Sequence, residues 1–600
     1  MTHRPVADFS FLHPAFDIRY LTSDSSPMPI HDQWIVLDDP TGLPDPSSGS
    51  PITRAMLGRR EVIDSEALRL FLEPNLDDLH DPWLIAGMAH ACDRISRAIR
   101  DQESILIYGD YDVDGVTSIV LLTTVLRRLG AVVAHVVPHR LYDGYGLKIE
   151  VIERVLTERK VGLVITVDCG ITSVEPVQKA IEMGIDVIIT DHHLPPGILP
   201  EAAAVLNPKV DGCEYPYKDL AGVGVAFKLC CALLQKSGST MSIHSLLKIA
   251  AIGTIADVAP LTGENRTIAL LGLRGLSDVR NPGLRALLSV NGLGNRPLRS
   301  QDVGFKIGPR INAAGRLASA DTAIDLFGAA SQADALPIVL ELNRLNHLRQ
   351  TIEKEVLSAA EEQVVPSDQI LIVAGEGWHK GVLGLCASRI ANRYHRPTLV
   401  ASINGQQVVG SGRSVRAVNL HELLSGVADL FEHFGGHDYA CGFSFPLENL
   451  EPIRERLKAL TSDRYPDRLV RSLDIESLVS LGDISATFFA EHQQMEPFGA
   501  GNLQPVFVAR NVRVERIREF SASCFELQLR ENDHRLRAVL WPSLVRLGLH
   551  VSEGDCLDIA FQLEPDHFRQ EGYRASIVDL APAGGAPFAE RKQQASCSSH

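Results

Sequence analysis

The fold is decided by residues 104–115, "SILIYGDYDVDG", where an apolar run is followed by aspartates at alternate positions. The run "SILIYG" predicts a buried β-strand, and Asp110, Asp112 and Asp114 follow its carboxyl end. Alternate side chains of an extended chain point the same way, so all three carboxylates would lie on one side. Carboxylates that close repel one another, and we therefore expect a positive partner to hold them.

One candidate partner is calcium, because residues 110–115 match the start of an EF-hand loop, D-x-D-x-D-G. That loop requires a bidentate glutamate at its twelfth position, where this chain has Leu121. The EF-hand is therefore excluded. A solvated acidic turn stays open as an alternative on this stretch alone.

Further apolar runs alternate with helical stretches after this strand. "AVVAHVVP", "VGLVITVD" and "GIDVIITD" predict strands, and "TSIVLLTTVLRRLG" predicts a helix closed by Gly130. Strands that are apolar on both faces and separated by helices indicate a parallel sheet covered on both sides. The fold class is therefore α/β.

Acidic and imidazole groups also end two of these further strands. Asp168 follows one, the triplet 191–193 (Asp191-His192-His193) follows another, and a lone Asp257 interrupts the apolar run "IGTIADVAPL". Ligand sites of open α/β sheets lie at the carboxyl ends of strands. Carboxylates with imidazole suit Mn²⁺, Mg²⁺ or Zn²⁺, and so many carboxylates suggest two metals with one shared ligand. Two such metals can clamp a phosphate and activate water, so these residues predict phosphoester hydrolysis.

Composition and periodicity divide the rest of the chain into segments. The predicted parts are a flexible N-terminal arm (1–55), a catalytic domain with N-terminal helices (56–331), a long connecting helix (332–366), a second α/β domain (367–462), an OB-like β-barrel (463–582) and a disordered tail (583–600). The arm is rich in Pro, Ser and Asp, and the barrel region holds five strand-like runs.

Two glycine-containing motifs do not indicate a nucleotide site. "AGVGVAFK" has Phe227 where a dinucleotide-binding fingerprint needs its third glycine, so we predict a tight turn into a helix that begins near Val225. "GEGWHKGVLG" lacks the G-K-[ST] of a phosphate-binding P-loop.

The whole-chain totals exclude some classes of protein. Lys plus Arg number 58 and Asp plus Glu 74, so the formal net charge is −16, which argues against a surface coated in positive charge. A local cleft can still attract nucleic acid. The ten cysteines form no C-x-x-C pair, which indicates a reduced, cytoplasmic protein. We expect no signal peptide and no membrane span.

Together the motifs resemble the DHH phosphoesterase superfamily, named for the triplet seen here at 191–193. "YGDYDVDG", "VDCG", "DHH" and "ADVAPL" occur in that superfamily's order and approximate spacing. From about residue 55 to about 580 the chain looks most like the RecJ family of bacterial single-strand-specific DNA exonucleases. Three further motifs support this family over shorter relatives: "IGPRINAAGRL", "MEPFGAGNLQPVF", and "FGGHDYACGF" of the DHH-associated domain (DHHA1).

The resemblance implies a parallel-sheet DHH domain, a connecting helix, a DHHA1 domain and an OB-like barrel. It also implies two divalent metals, Mn²⁺ or Mg²⁺, held by a shared set of side chains. Asp112 and Asp168 would hold one metal, Asp114, His192 and Asp257 would hold the second with Asp168 bridging, and the role of Asp110 stays open.

It further implies catalytic side chains beside the scissile phosphate. His193 would assist the leaving oxygen or orient water, unless it is a structural histidine. Asp191 would fix an imidazole tautomer, and His437 would close on the site from the second domain.

Substrate binding requires local positive and aromatic groups. Single arginines often form surface ion pairs, but the planar guanidinium also matches phosphate oxygens bidentately. In the RecJ interpretation a pocket for the 5′-terminal phosphate would set polarity. The candidate substrate-binding residues are Arg140, Tyr145, Arg310, Arg316, Ser411 and Arg413.

The resemblance thus implies a 5′→3′ exonuclease that degrades single-stranded DNA to 5′-mononucleotides in recombination and repair. We expect a monomer that works with a helicase and a single-strand-binding protein. A small-substrate DHH phosphodiesterase and a catalytically inactive DNA-binding scaffold stay open as alternatives. The chain departs from the family pattern at Asp438 and Cys441, where small residues are usual, and residues 565–579 lack an expected tryptophan.

Overall fold

The computed structural model describes residues 29–40, 42–140, 142–144, 146–465, 469–545, 547–566 and 572–589. The described chain forms two compact units. The smaller unit takes the residues up to Leu68, Val470–Met495 and those from Gln504 onward; the larger takes Arg69–Leu469 and Glu496–Leu503.

The chain begins with a short strand and three helices: β1 (Gln33–Val36), α1 (Pro51–Arg59), α2 (Ser65–Leu72) and α3 (Met88–Arg100). Trp34 of β1 is fully buried, and its indole N–H donates to Asp579 Oδ2 at 2.9 Å. The described part of the predicted flexible arm therefore contains a fixed strand, because an aromatic side chain and a buried carboxylate hold it. Residues 1–28 of that predicted arm lie outside the described residues.

A five-stranded parallel sheet forms the centre of the larger unit. Its strands are β2 (Ser104–Gly109), β3 (Val132–Val136), β4 (Leu163–Val167), β5 (Asp186–Thr190) and β6 (Ala204–Leu206). They lie in the order β3-β2-β4-β5-β6, and every neighbouring pair is parallel. The helices α4 (Val113–Arg128), α5 (Ile149–Leu156) and α6 (Val174–Glu182) connect them, which confirms the predicted α/β class.

A helical layer follows the sheet in the chain. It comprises α7 (Gly222–Lys236), α8 (His244–Ala256), α9 (Gly263–Gly275), α10 (Pro282–Val290), α11 (Ser300–Asp302), α12 (Gly308–Leu317), α13 (Asp321–Gly328) and the long α14 (Gln332–Glu361). Helices α4, α7 and α8 are buried along most of their length and share one apolar core with the sheet. A π-helical turn, Val303–Ile307, leads into α12.

The second α/β domain belongs to the same unit. It consists of β7 (Leu371–Glu376), α15 (Lys380–Tyr394), β8 (Thr398–Asn404), β9 (Gln407–Arg413), α16 (Leu420–Ser425), β10 (His433–His437), β11 (Ala440–Pro446) and α17 (Leu450–Arg464). The strand order is β10-β11-β9-β8-β7, and only the β7–β8 pair is parallel.

The smaller unit holds the predicted barrel. Its elements are β12 (Ser472–Ile475), β13 (Ser477–Leu478), α18 (Ala486–Gln494), β14 (Phe507–Ser521), β15 (Cys524–Glu531), β16 (His534–Leu540), α19 (Pro542–Val545), β17 (Cys556–Pro565) and β18 (Tyr573–Pro582). The long strand β14 pairs with both β15 and β17, which closes a five-stranded ring through β16 and β18 and confirms an OB-like barrel.

The predicted disordered tail, 583–600, is described as far as residue 589. Phe588 forms an isolated bridge with Trp34 and an edge-on ring contact with it, so this part of the tail packs on β1. Residues 590–600 lie outside the described residues. Within the described ranges, no helix has the length and apolarity that crossing a bilayer requires.

Candidate metal centre and anion pocket

The carboxyl edge of the parallel sheet brings the predicted metal residues together. Asp110 follows β2, Asp168 follows β4, and the triplet 191–193 follows β5, while Asp257 caps the end of α8. Asp110, Asp114 and Asp168 are 4%, 1% and 3% exposed, so these carboxylates are buried. The end of a parallel sheet thus serves as the floor of the site.

Asp110, Asp112 and Asp114 lie on the end of a strand, a turn and the start of a helix. The prediction that an extended chain points all three carboxylates the same way is therefore wrong. Asp112 is the N-cap of α4, and its Oδ1 accepts the N–H groups of Asp114 at 2.9 Å and Gly115 at 3.1 Å. Asp114 lies in the first helical turn. A Cβ on Gly115 would lie 2.3 Å from the Asp110 carbonyl oxygen, so the turn requires glycine there.

The potential metal-ligand atoms form groups whose members all lie within 4.8 Å of one another. The groups are Asp110, Asp112 and Asp168; Asp114, His192 and Asp257; and Asp168, His192 and His193. Asp168 connects the first two sets, since its Oδ1 lies 3.2 Å from His192 Nε2. The chain therefore offers two adjacent ligand sets with one carboxylate between them.

The electrostatics of this cluster fit a bound cation. Burial, and then the neighbouring aspartates, raise the pKa values of Asp110, Asp168 and Asp257 well above the usual range and that of Asp114 to about 7. Asp110 Oδ1 is buried and has no hydrogen-bond partner among the described residues. Carboxylate oxygens with an imidazole are ligands that Mn²⁺ and Mg²⁺ accept.

Asp114 is held by the N-terminus of α7. The N–H groups of Gly222 and Val223 donate to its Oδ2 and Oδ1 at 2.8 and 2.7 Å. This pair of bonds explains why the helix starts at Gly222, three residues before the predicted Val225. A Cβ on Gly222 would lie 2.8 Å from Asp168 Oδ1 and 3.0 Å from Asp114 Oδ2. Gly222 is thus a site residue that the sequence analysis missed, although its motif was noticed.

The two histidines of the triplet differ in environment. Burial and the adjacent His193 lower the pKa of His192 to about 3, which leaves a neutral imidazole suited to a metal. His193 Nδ1 lies 2.7 Å from Asp191 Oδ1, and this partner raises the pKa of His193 although burial opposes it. Asp191 also accepts the N–H of Ile171 at 2.9 Å. The imidazole that Asp191 orients is therefore that of His193, whose Nε2 points away from it.

The second domain contributes His437 to the same place. Its ring stacks parallel to that of His193, with 6.2 Å between the centroids and 8° between the planes. His437 ends β10 in a hairpin whose next strand starts at Ala440, so the Gly-Gly-His motif forms the tip that faces the sheet edge.

Three of the predicted arginines form a pocket beside the first ligand set. Arg140 lies over the Tyr111 ring, 4.7 Å from its centroid, and its charge acts on Asp110. Arg316 of α12 reaches the second domain, where Nη1 donates to the Gly381 carbonyl at 3.0 Å.

Arg413 reaches this pocket from the end of β9. Its Nη1 donates to Ser411 Oγ at 2.9 Å, and a Cβ on Gly384 of α15 would lie 2.9 Å from its Nη2. Burial, and then the charge of Arg140, lower the pKa of Arg316 to about 10 and also lower that of Arg413. Guanidinium groups that repel one another in a partly buried pocket form a site for an anion.

Of the other two predicted substrate residues, Arg310 stands apart from this group. Arg310 donates through Nε to Asn343 Oδ1 and through Nη1 to the Lys306 carbonyl, both at 2.6 Å. It therefore faces α14, and the structure groups Arg316 rather than Arg310 with Arg140 and Arg413. Tyr145 lies outside the described residues.

Helix α12 packs against the aspartate turn, residues 110–115, and its sequence motif did not predict this contact. Asn312 Oδ1 accepts the Val113 N–H at 3.1 Å, at the start of α4. A Cβ on Gly315 would lie 2.2 Å from the Tyr111 carbonyl oxygen, so the helix and the turn are in direct backbone contact. The segment "IGPRINAAGRL" thus links the aspartate turn to the arginine pocket.

Lys209 is a further site residue that the sequence analysis did not predict. It follows β6 in the sequence Asn207-Pro208-Lys209, and its charge acts on His192, Asp257 and His437. Its only sequence signal is its place just after a short apolar strand, which is too weak to single out one lysine.

Family models match three parts of the chain. A model described as "DHH family, N-terminal domain" matches residues 104–254, one described as "DHHA1 domain" matches 367–463, and one described as "RecJ OB domain" matches 475–576. The matches agree with the predicted fold class, a DHH domain followed by a DHHA1 domain and an OB-like barrel.

Individual proteins and structures resemble the chain over most of its length. "Single-stranded-DNA-specific exonuclease RecJ" of Bacillus subtilis is 39% identical over 480 residues, which cover 79% of this chain and 60% of that protein. RecJ of Salmonella typhimurium is 35% identical over 469 residues, or 74% and 79% of the two chains. The crystal structure of RecJ with Mn²⁺ from Thermus thermophilus has a TM-score of 0.78 at 29% identity, covering 94% of this chain and 80% of that one.

Gly222→Ala tests whether the start of α7 shapes the metal centre. The added methyl would press on Asp168 and Asp114, so we expect Mn²⁺ binding, measured by calorimetry, to weaken about 10- to 100-fold. Gly224→Ala is the matched control on the same helix, because its Cβ would meet only the flexible Leu220 side chain, at 3.2 Å. Equal Mn²⁺ affinity in the two variants would contradict this role of Gly222.

The raised aspartate pKa values predict a pH-dependent effect of metal on stability. Folded pKa values above the unfolded ones stabilise the metal-free protein below about pH 4, and that contribution is lost as the pH rises towards about 7, the value for Asp114. Cations favour the ionised carboxylates, so Mn²⁺ should raise the unfolding temperature relative to EDTA more at pH 8 than at pH 5.

Asp168→Asn is the control for this pH effect. It removes one of the repelling charges, so it should raise the unfolding temperature in EDTA at pH 8 and reduce the increase that Mn²⁺ produces. Scanning fluorimetry gives both values, and a metal effect that is the same at pH 5 and pH 8 would contradict the assignment of these carboxylates.

Proposed function

This chain belongs to the RecJ family of DHH phosphoesterases, and from that premise we propose that it hydrolyses single-stranded DNA from the 5′ end. Its products would be 5′-mononucleotides, and its roles would be in recombination and repair. The observation that carries the proposal is that the carboxylate cluster and the arginines lie within range of each other's charge, since Asp112 acts on Arg316 and Arg140 acts on Asp110. A terminal phosphate in that pocket would bring the next phosphodiester to the carboxylates.

The two ligand sets would hold two divalent cations, Mn²⁺ or Mg²⁺. Asp112 and Asp168, with Asp110, fit the first site, and Asp114, His192 and Asp257 fit the second. We include Asp110 because its buried, unpartnered oxygen needs a positive neighbour. When bound, two such cations activate water and neutralise charge on the phosphate.

His193 is suited to assist the departing oxygen. Its Nδ1–H is engaged by Asp191, so Nε2 faces the cleft, and its raised pKa keeps more of it protonated near neutral pH. Water adds to the phosphorus while the bond to the 3′-oxygen of the first nucleotide breaks, and His193 would give that oxygen its proton. His437, parallel to His193, would contact the same phosphate from the second domain.

The arginine pocket would determine the polarity of degradation. Arg140, Arg316 and Arg413 converge from the sheet, α12 and β9, and Ser411 offers a hydroxyl beside them. A terminal 5′-phosphate carries more negative charge than an internal diester, so a cluster of cations prefers the end of a strand. Tyr145 stays a predicted contact of this pocket.

The barrel would add contacts to the backbone of the strand. Arg513, Arg516 and Arg518 of β14 are exposed on it, which supports backbone contacts in an OB-like domain. We also propose the domain limits given above, a monomeric state, a cytoplasmic location, and cooperation with a helicase and a single-strand-binding protein.

Two observations favour this function over the alternatives. Both metal-ligand sets have all their members, which an inactive scaffold would not need. The closed barrel with its exposed arginines is a second surface for nucleic acid, which a cyclic dinucleotide would not require.

The proposal is tested by release of labelled mononucleotide from 5′-labelled single-stranded DNA, duplex DNA and a cyclic dinucleotide. We expect release from the single strand with Mn²⁺ or Mg²⁺, and none in EDTA. Asp168→Asn should slow release about 100-fold or more while the protein stays folded. Cleavage of the duplex at an equal rate, or preference for the cyclic dinucleotide, would contradict the proposal.

Arg413→Gln tests the phosphate pocket. Loss of a charge-assisted contact should reduce the preference for a 5′-phosphate over a 5′-hydroxyl about 10- to 100-fold in kcat/KM. Arg456→Gln, which removes an exposed arginine paired with Asp429 in the same domain, is the matched control. An unchanged preference in Arg413→Gln would remove this residue from the pocket.

A further inference from the structure

The order of the strands reveals a row of charges along the edge of the parallel sheet. Arg140 follows β3, the aspartate turn follows β2, Asp168 follows β4, the triplet 191–193 follows β5, and Lys209 follows β6. With about 4.8 Å between neighbouring strands, the row extends over roughly 19 Å. Its two ends are positive, and the metal-ligand groups occupy the middle.

Lys209 is held at its end of the row by a defined turn. Its N–H donates to Asn207 Oδ1 at 2.9 Å, and Asn207 Nδ2 donates to the His193 carbonyl at 2.8 Å. Asn207 is 1% exposed, so this link is buried. The Asn207 side chain therefore connects the backbone of the lysine to the histidine triplet.

The ammonium group of Lys209 is available to a ligand. The residue is half-buried, and its side chain makes no hydrogen bond or ion pair within the described part of the chain. Its charge acts on His192 and Asp257 of the second ligand set and on His437 across the cleft. Lys209 thus faces the second metal site from the side opposite to the arginine pocket.

We propose that Lys209 binds the backbone phosphate that follows the scissile phosphate, on the part of the strand that remains after cleavage. The inference rests on the proposed function. A strand whose 5′-phosphate lies among Arg140, Arg316 and Arg413 has its first diester at the carboxylates. Its next phosphate then extends towards the β6 end of the row, where the Lys209 side chain supplies a positive charge just after β6.

The length of the substrate isolates this contact. A 5′-phosphorylated dinucleotide contains the terminal and scissile phosphates only, whereas a trinucleotide adds the next one. Lys209→Gln should lower kcat/KM about tenfold more for the trinucleotide than for the dinucleotide, and Lys209→Arg should restore most of this difference. Lys179→Gln, on the exposed face of α6, is the control for the change in net charge.

A methylphosphonate at the linkage after the scissile one provides a double-mutant cycle. This uncharged linkage should slow the wild type as much as Lys209→Gln does, and the two changes together should cost no more than either alone. Equal losses on dinucleotide and trinucleotide, or fully additive losses in the cycle, would overturn the proposed contact.

Equilibrium binding of single-stranded DNA in EDTA separates this inference from the proposed function. Each phosphate contact contributes about 0.7 to the slope of log K against log salt for single strands, so Lys209→Gln should reduce the slope by about 0.7. A wild type that binds DNA in EDTA but does not cleave it when Mn²⁺ or Mg²⁺ is added would overturn the proposed activity, and the slope would still decide on Lys209. An unchanged slope, or a wild type that does not bind DNA, would overturn the contact.

Discussion

Repulsion among Asp110, Asp114, Asp168 and Asp257 is the constraint around which the larger unit is arranged. Burial removes the water that would otherwise screen these carboxylates, so the surrounding structure must offset their repulsion. Helix α7 supplies two N–H groups to Asp114, α4 is capped by the neighbouring Asp112, and α12 presses against the turn between strand and helix. The helical layer therefore supports the cluster as well as covering the sheet, which keeps the ligand atoms close together before a cation arrives.

Backbone strain occurs at the same cluster. Asp168 has a φ of 58° and Val258, next to Asp257, has a φ of 62°. This region disfavours side chains, and most of all β-branched ones such as valine. Val258 is 69% exposed, so packing of its side chain does not compensate for the strain. A strained backbone conformation persists where the surrounding structure holds it in place. Here Asp168 is itself a predicted metal ligand, and Val258 directly follows another, Asp257.

The grouping of the predicted metal residues could be foreseen from the sequence because strands of a parallel sheet end at one edge whatever connects them. Asp168 and the triplet 191–193 needed only that rule and the apolar runs before them. Gly222 and Lys209 could not be predicted, because their roles depend on where α7 and β6 pack against other elements. The choice between Arg310 and Arg316 depends on which face of α12 meets the second domain, and the motif alone does not show this. The buried strand around Trp34 was missed since its partner, Asp579, lies 545 residues away.

A net charge of −16 does not prevent the proposed binding of DNA, because binding depends on where the positive side chains lie more than on how many there are. The acidic total suppresses non-specific attraction to nucleic acid, and the carboxylates repel a phosphate wherever no cation is bound. With metals present the middle of the row becomes attractive as well, so its attraction adds to that of the arginine pocket and Lys209. The strand order β3-β2-β4-β5-β6 places Arg140 at one end of the row and the aspartate turn inside it. In the sequence the aspartate turn comes before Arg140, so this arrangement of charges depends on the order of the strands in the sheet. Substrate binding should therefore depend on metal more strongly than the number of positive side chains suggests.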